Sequence, residues 1–229
     1  MRLLIIGAGK MGRAVETLAI AAGHTVTDVL DSRSNAGADA IRARRGEVDV
    51  AIEVTEAAVA AVNALACLEA GIPVVVGTTG WYEQRPLVEQ RAREQGGAIL
   101  IAPNFSLGVA LATEVVRAAG VMFAAHPQFG AAIVETHHSA KKDAPSGTAK
   151  ALADAVAETL GREVPIASVR VGSAPGTHTL ILDGPFEQIV ITHEARDRRV
   201  FADGALRAAA WLVGKTGVFS MRDVTALNS

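Results

Sequence analysis

Short β-rich runs, dominated by apolar residues, alternate with longer Ala-rich stretches through the first hundred positions. The runs are 3–6 (LLII), 25–30, 48–54, 73–76 and 98–102, and between them 9–22, 56–70 and 83–95 have the length and composition of helices. Strands alternating with helices of this size predict βαβ units on a parallel sheet. Most of these strands are apolar throughout, which suits a sheet covered on both faces.

The pattern changes after residue 105. Residues 108–119 read as a helix, followed by a strand-like run ending at Thr136, a loop, and another helix over 147–160. Three β-like runs come next, 167–171, 178–182 and 188–193, separated only by turns. Consecutive strands without helices between them predict an antiparallel or mixed sheet, hence a second domain of α+β type. Residues 205–213 return to an amphipathic Ala-rich helix, expected to pack back on the first domain, and a short apolar tail follows.

Composition narrows the function classes. Among 229 residues, 22 Lys+Arg face 24 Asp+Glu for a net charge of −2, and half the chain is hydrophobic. That is enough apolar surface for a sizeable core, in one large domain or two small ones. Near-neutral charge leaves no electrostatic footprint for nucleic acid. The single Cys67 rules out a disulfide framework and suits a reducing compartment. The apolar N-terminal run is broken by glycines and Lys10 before it reaches signal-peptide length, and no stretch reaches the roughly 18 apolar residues of a membrane helix. The expectation is a soluble, cytoplasmic protein with neither nucleic-acid nor membrane partners.

Gly7-Ala8-Gly9-Lys10-Met11-Gly12 fits G-x-G-x-x-G directly after the first strand and at the opening of a helix. Gly7 allows the tight turn, Gly9 lets the backbone approach a pyrophosphate, and Gly12 allows close helix–strand contact. The helix N-terminus then offers unpaired N–H groups and partial positive charge to phosphates. Asp31 ends the next strand, where an acid accepts hydrogen bonds from adenosine ribose hydroxyls. The competing reading is a tight βα turn with a capping Asp, but the motif's place at a strand-to-helix boundary favours a dinucleotide. Asp31 favours NADH, whereas Ser32, Arg33 and Lys10 are able to receive the extra phosphate of NADPH. Both cofactors stay open, with a lean to NADH. Two further loops follow strands, Gly77-Thr78-Thr79-Gly80 and Ala102-Pro103-Asn104-Phe105. They are expected at the same carboxyl edge of the sheet, bordering the nicotinamide.

The stretch VETHHSAKKDAPSGTAK, residues 134–150, concentrates positive charge and transferable protons in His137, His138, Lys141 and Lys142. Ser146 reads as an N-cap. The N–H groups of Gly147 and Thr148, with the Ser146 and Thr148 hydroxyls, then form an anion site at a helix N-terminus. Each string alone is also common as a solvated strand end, an exposed face or a plain helix start. Together, downstream of a nucleotide-binding half, they suit a small substrate bearing carboxylates. His24, His126, His178 and His193 are isolated and read as structural or surface groups. No HExxH or CxxC pattern occurs, so no metal site is expected. Cys67 lies mid-helix among Ala and Leu and reads as core, and the G-x-S-x-G elbow of serine hydrolases is absent.

Taken together, GAGKMG, DVAIEVT, PVVVGTTGW, APNFSLGV, ETHHSAKKDAPSGTA, VITHEARDRRVFADGALRAAAWL and GVFSMRDV resemble the 4-hydroxy-tetrahydrodipicolinate reductase (dihydrodipicolinate reductase) family nearly end to end. The HHxxKxDAPSGTA string is the most specific part. The resemblance implies an α/β fold with a Rossmann-like parallel-sheet domain, residues 1–105 and 205–229. A central α+β domain with a mixed sheet, 106–204, would bind substrate and build a homotetramer. It implies His137 and Lys141 as the proton-donating pair, and His138, Ser146, Gly147 and Thr148 at the substrate carboxylates. Residues 7–12, Asp31, 77–79 and 102–105 would line NADH or NADPH. The implied reaction is hydride transfer to a cyclic imine dicarboxylate on the diaminopimelate route to lysine. The chain departs from the family pattern twice. Its glycine loop is one residue shorter than in many members and carries Lys10, which bears on cofactor preference. Gly176-Thr177-His178 lacks the acid expected between Gly and His. The rival readings are a related amino- or imino-acid dehydrogenase of the aspartate dehydrogenase kind, and a non-catalytic dinucleotide sensor.

Overall fold

The computed structural model describes residues 1–31 and 37–225. They form two compact units, 1–106 with 199–225, and 107–198. Ser32 and Arg33, named above as phosphate acceptors, lie outside the described residues.

In the first unit the chain runs β1 (Arg2–Ile6), α1 (Lys10–Ala21), β2 (Thr25–Leu30), α2 (Ala38–Arg42), β3 (Val50–Glu53), α3 (Ala57–Glu69) and β4 (Val74–Val76). After a 3-10 turn at Tyr82–Gln84 come α4 (Arg85–Glu94) and β5 (Ala98–Ile101). The described strands make one parallel sheet in the order β10-β5-β4-β3-β1-β2, β10 (Gly217–Phe219) being supplied by the end of the chain. Every residue of β3, β4 and β5 is buried, which explains runs with no polar alternation; β2, at the edge, is partly exposed along its length. Alternate side chains point to opposite faces. Leu4, Ile6, Ala51, Val74, Val76, Ile99 and Ile101 share one core with α3 and α4. α7 (Arg199–Leu212) packs on β3, β4, β5 and α1, and none of its buried residues belongs to that core. Each fully buried Leu or Ile contributes about 1.5–3 kcal/mol.

The second unit holds α5 (Leu107–Phe123), β6 (Gly130–His137), α6 (Gly147–Leu160), β7 (Ile166–Arg170), β8 (Thr177–Asp183) and β9 (Gln188–Glu194). Its sheet has the order β7-β6-β8-β9, with β6 parallel to β7 and antiparallel to β8, so it is mixed, as expected. α5 and α6 pack together, and Val116, Ala119, Leu152 and Val156 meet Ile133, Leu180 and Leu182 in one core. Along β6 the inward face reads Ile133, Glu135, His137, and opposite Glu135 in register stands His178. The covered face therefore turns from apolar to ionisable toward the end of β6. Among the described residues no helix is long and apolar enough to cross a membrane.

Four elements differ from the sequence pattern. α7 begins at Arg199, six positions before the expected 205, because Val200 and Phe201 mask helical periodicity that packing supplies. The apolar tail contains β10 and a final short helix, α8 (Met221–Val224), closed by a Ser220–Asp223 capping box. A three-residue strand has no readable period; pairing with the edge of β5 makes it one. The short α2 was also not anticipated.

The seating of α7 gives the first prediction. An alanine at Gly204 gains about 1 kcal/mol of helix propensity, yet its Cβ would stand 1.8 Å from the Phe105 carbonyl oxygen. Backbone cannot yield as a flexible side chain does, so overpacking, about 1–3 kcal/mol or more, wins. Gly204→Ala should lower Tm by several degrees in a circular-dichroism melt; an unchanged or raised Tm would contradict this close approach.

Candidate active site

The loops that follow β1, β3, β4 and β5 stand at the carboxyl edge of the first unit's sheet, and backbone hydrogen bonds tie them in sequence. The Gly7 N–H donates to Leu30 O, Val54 to Ile6 O, Gly77 to Glu53 O and Ala102 to Val76 O, at 2.8–3.1 Å. The three motif glycines do different things. Gly7 has φ +115°, and a Cβ there would lie 2.5 Å from Val54 O, while one at Gly12 would lie 1.8 Å from Gly7 O. Those two are demanded by the fold. Gly9 is exposed, its missing side chain faces open space, and as N-cap of α1 it leaves the first turn without a side-chain cap or an acid. An open backbone approach to an uncapped helix start fits the pyrophosphate of a dinucleotide.

Around it, Ala8 and Met11 are half-buried and Lys10 is exposed. Asp31, directly after β2, is half-buried and engaged in an interaction of its own. Thr78 is buried and its carbonyl accepts from Trp81 Nε1 at 2.8 Å, leaving Thr79 exposed. Ala102 and Phe105 are buried, with the Phe105 ring filling the space beside Gly77; Pro103 is exposed and Asn104 half-buried. Sequence reasoning passed over Glu53, buried at the end of β3. Its Oε1 accepts from Thr55 N at 3.2 Å, Asn63 Nδ2 at 3.3 Å and the Thr55 hydroxyl. Burial raises its pKa despite those bonds.

In the second unit the hub is Glu135. Its Oε1 accepts from Arg170 Nη2 at 2.7 Å and from Ser146 N at 3.4 Å, and its Oε2 meets His137 Nδ1. Burial alone would raise this carboxyl, but hydrogen bonds from Arg170, Ser168 and His137 outweigh it and hold the pKa at about 2. His137 is lowered by burial, with Lys141 and Arg170 adding to the effect and Glu135 opposing it. The rings of His137 and His178 meet edge to face at 5.1 Å, and His193 lies 6.2 Å further along. Burial, then the neighbouring histidines, brings His178 down to about 4.

The remaining motif residues gather round this hub. Lys141 Nζ pairs with Asp143 Oδ1 at 2.8 Å, and Arg170 Nη2 donates to the Asp143 carbonyl at 2.6 Å. His138 Nε2 meets Arg198 Nη2 at 2.6 Å; a guanidinium only donates, so that nitrogen accepts. Ser146 caps α6, its hydroxyl accepting from Ala149 N at 3.1 Å and contacting His178 Nε2 at 3.3 Å. That hydroxyl is buried and engaged on both contacts, whereas the expected anion site also counted it as an open donor. Gly147 is exposed and open, with Thr148 beside it half-buried.

Glu135, Arg170, Arg198, His178 and His193 were missed or dismissed by sequence reasoning. The signal for two of them was inward alternation, Glu135 two residues before His137 and His178 at the inward parity of β8. Glu135, His137 and His178 also bring metal-capable atoms within 4.8 Å of one another, a grouping no motif spacing announces. Arg170 already occupies one of the Glu135 oxygens.

A Rossmann-like sheet with an open glycine loop, joined in one chain to an α+β unit that carries the His137, His138 and Lys141 cluster, defines a pyridine-nucleotide-dependent oxidoreductase. More narrowly, the chain belongs to the dihydrodipicolinate reductase family: the family model for the N-terminus matches residues 1–105 and that for the C-terminus matches 108–225. A 4-hydroxy-tetrahydrodipicolinate reductase of Christiangramia forsetii is 34% identical over 98% of this chain and 97% of its own. One of Methanosarcina mazei is 37% identical over 80% and 75%. In fold, the chain is similar to a dipicolinate-bound dihydrodipicolinate reductase from Paenisporosarcina sp. TG-14, with TM-score 0.83 and 22% identity over 96% of this chain and 97% of that one.

The buried network makes stability acid-sensitive in two windows. His178, at about 4 when folded against an ordinary 6.5, binds its proton more readily when unfolded, so stability falls as pH drops from 6.5 to 4. Glu135, depressed from 4.5 to about 2, adds a further loss below pH 4.5. His178→Asn should remove about one proton from the pH dependence of the urea midpoint between pH 6.5 and 4. An unchanged slope would contradict a neutral buried His178.

Proposed function

We propose that this chain reduces 4-hydroxy-tetrahydrodipicolinate to tetrahydrodipicolinate with NADH or NADPH, a step of lysine and diaminopimelate biosynthesis. Family membership supports the reaction. The observation that carries the chemistry is the gathering of His137, His138, Lys141 and the open start of α6 around one buried carboxylate. The first unit is the dinucleotide-binding domain, with Gly9 and the first turn of α1 holding the pyrophosphate and 77–79 and 102–105 bordering the nicotinamide. Asp31 accepts from the ribose hydroxyls, which favours NADH. When bound, the nicotinamide supplies the hydride.

The second unit binds the substrate. His138 and the N–H groups of Gly147 and Thr148 hold the carboxylates and fix the ring, and such orientation removes much of a barrier. His137 or Lys141 delivers the proton, worth about 10²–10⁴-fold for a positioned acid. Val169, Val171 and Val190 are exposed on the outer face of the mixed sheet and Phe186 is fully exposed at its hairpin. These apolar groups support a homotetramer built through that sheet. The functional setting is cytoplasmic.

The decisive assay follows absorbance decay of NADH and NADPH with substrate generated in situ by a synthase. Replacing both His137 and Lys141 by alanine should abolish turnover while NADH binding survives, and lost NADH binding would contradict the division of labour. Gly9→Ala should keep the wild-type Tm and weaken NADH about tenfold or more; unaltered affinity would remove Gly9 from the pyrophosphate site.

A further inference from the structure

Resting on the reading of His137 as a proton donor, the geometry points to a second residue in that step. We propose that Glu135 is a positioning residue: its carboxylate holds His137 with the hydrogen on Nδ1, so that Nε2 is the atom through which His137 exchanges its proton with the substrate. A carboxylate only accepts, so the Nδ1 facing Glu135 Oε2 must donate. Glu135 is itself immobilised. Its Oε1 is taken by Arg170 at 2.7 Å and by Ser146 N at 3.4 Å, which leaves Oε2 for the imidazole. Arg170 is anchored in turn by the Asp143 carbonyl, and Asp143 by Lys141. The ring cannot reverse without giving up its contact with this immobilised carboxylate.

The other nitrogen has a different environment. The nearest neighbour to a Cβ built at Gly176 is His137 Nε2, at 3.0 Å, so any larger residue there would crowd that atom. Gly176 has φ +149°, a conformation that other residues rarely adopt, and the glycine keeps this flank of Nε2 clear. His178 touches the ring edge-on while its own Nε2 is engaged with the Ser146 hydroxyl.

The charges around His137 are Glu135 on its own strand, Lys141 from the loop, Arg170 on β7 and His178 on β8, with His193 of β9 beyond. Burial, Lys141 and Arg170 disfavour the imidazolium, and Glu135 favours it. His137 without substrate is therefore a neutral Nδ1–H tautomer with a lone pair on Nε2. A dicarboxylate beside it adds negative charge and draws a proton onto Nε2 before hydride arrives. Binding of the dicarboxylate is thus coupled to proton uptake, and Glu135 keeps the imidazolium within reach of neutral pH.

Glu135→Gln preserves shape and an acceptor while removing the charge, so it separates positioning from packing. The pH profile of kcat should lose its alkaline limb at least one unit earlier than wild type, with kcat at pH 7.5 down about tenfold and the Kd for NADH unchanged. Glu135→Asp should move the limb part of the way back. A uniform loss at every pH, or an unshifted limb, would overturn the proposal. Independently of activity, histidine ¹⁵N spectra of the wild-type protein should show His137 protonated at Nδ1 and bare at Nε2 above its pKa. The opposite tautomer would overturn the inference even in an active enzyme. Absence of reductase turnover with the Nδ1–H tautomer present would instead sink the assigned reaction alone.

Discussion

A carboxylate shut away from water is the constraint around which the second unit is organised. Glu135 on the inward face of β6 is fully buried, and an unpaired charge there would cost several kcal/mol. The structure meets that demand from separate directions: a guanidinium from β7, an imidazole two residues along the same strand, and a backbone N–H at the start of α6. Each partner is itself a functional candidate or holds one. Arg170 reaches Asp143, which holds Lys141, and Ser146 caps the helix whose first turn opens at the exposed Gly147. Satisfying one buried charge therefore brings the elements of the candidate active site into fixed relation.

The first unit shows a different economy of residues. Its sheet is stabilised by apolar side chains that carry no chemical information, and the candidate binding residues are confined to loops at one edge. Of the three motif glycines, two are fixed by backbone crowding and one by open space. The familiar pattern thus mixes folding requirements with a binding requirement. That is why such a motif alone is weak evidence: Gly7 and Gly12 would be needed by any equally tight turn, and only Gly9 is a glycine that the backbone around it does not require.

The two sheets were legible to different degrees. For β1, β3, β4 and β5, apolar runs between helices gave positions within two residues and the parallel arrangement, because complete burial leaves a plain signature. The mixed sheet was legible as a class, since three strands in succession cannot be parallel neighbours with helical crossovers. Less visible were β10, α2 and the start of α7. In each the local pattern is short or mixed, and packing against β5 or the sheet face decides the conformation.

The sequence by itself determined the element types, the glycine loop, the cationic cluster and the N-cap at Ser146, all encoded within windows of a dozen residues where propensity and periodicity act. Only the tertiary structure decided which ionisable groups meet. Glu135, Arg170, His178 and His193 stand on β6, β7, β8 and β9, and their proximity follows from strand order and register. A shift of one residue in that register would turn His178 to the opposite face, so no reading of β8 alone could place it beside His137. Ser146 belongs to the same case: its N-cap is written in the local sequence, but its contact with His178 exists only once β8 is laid beside β6.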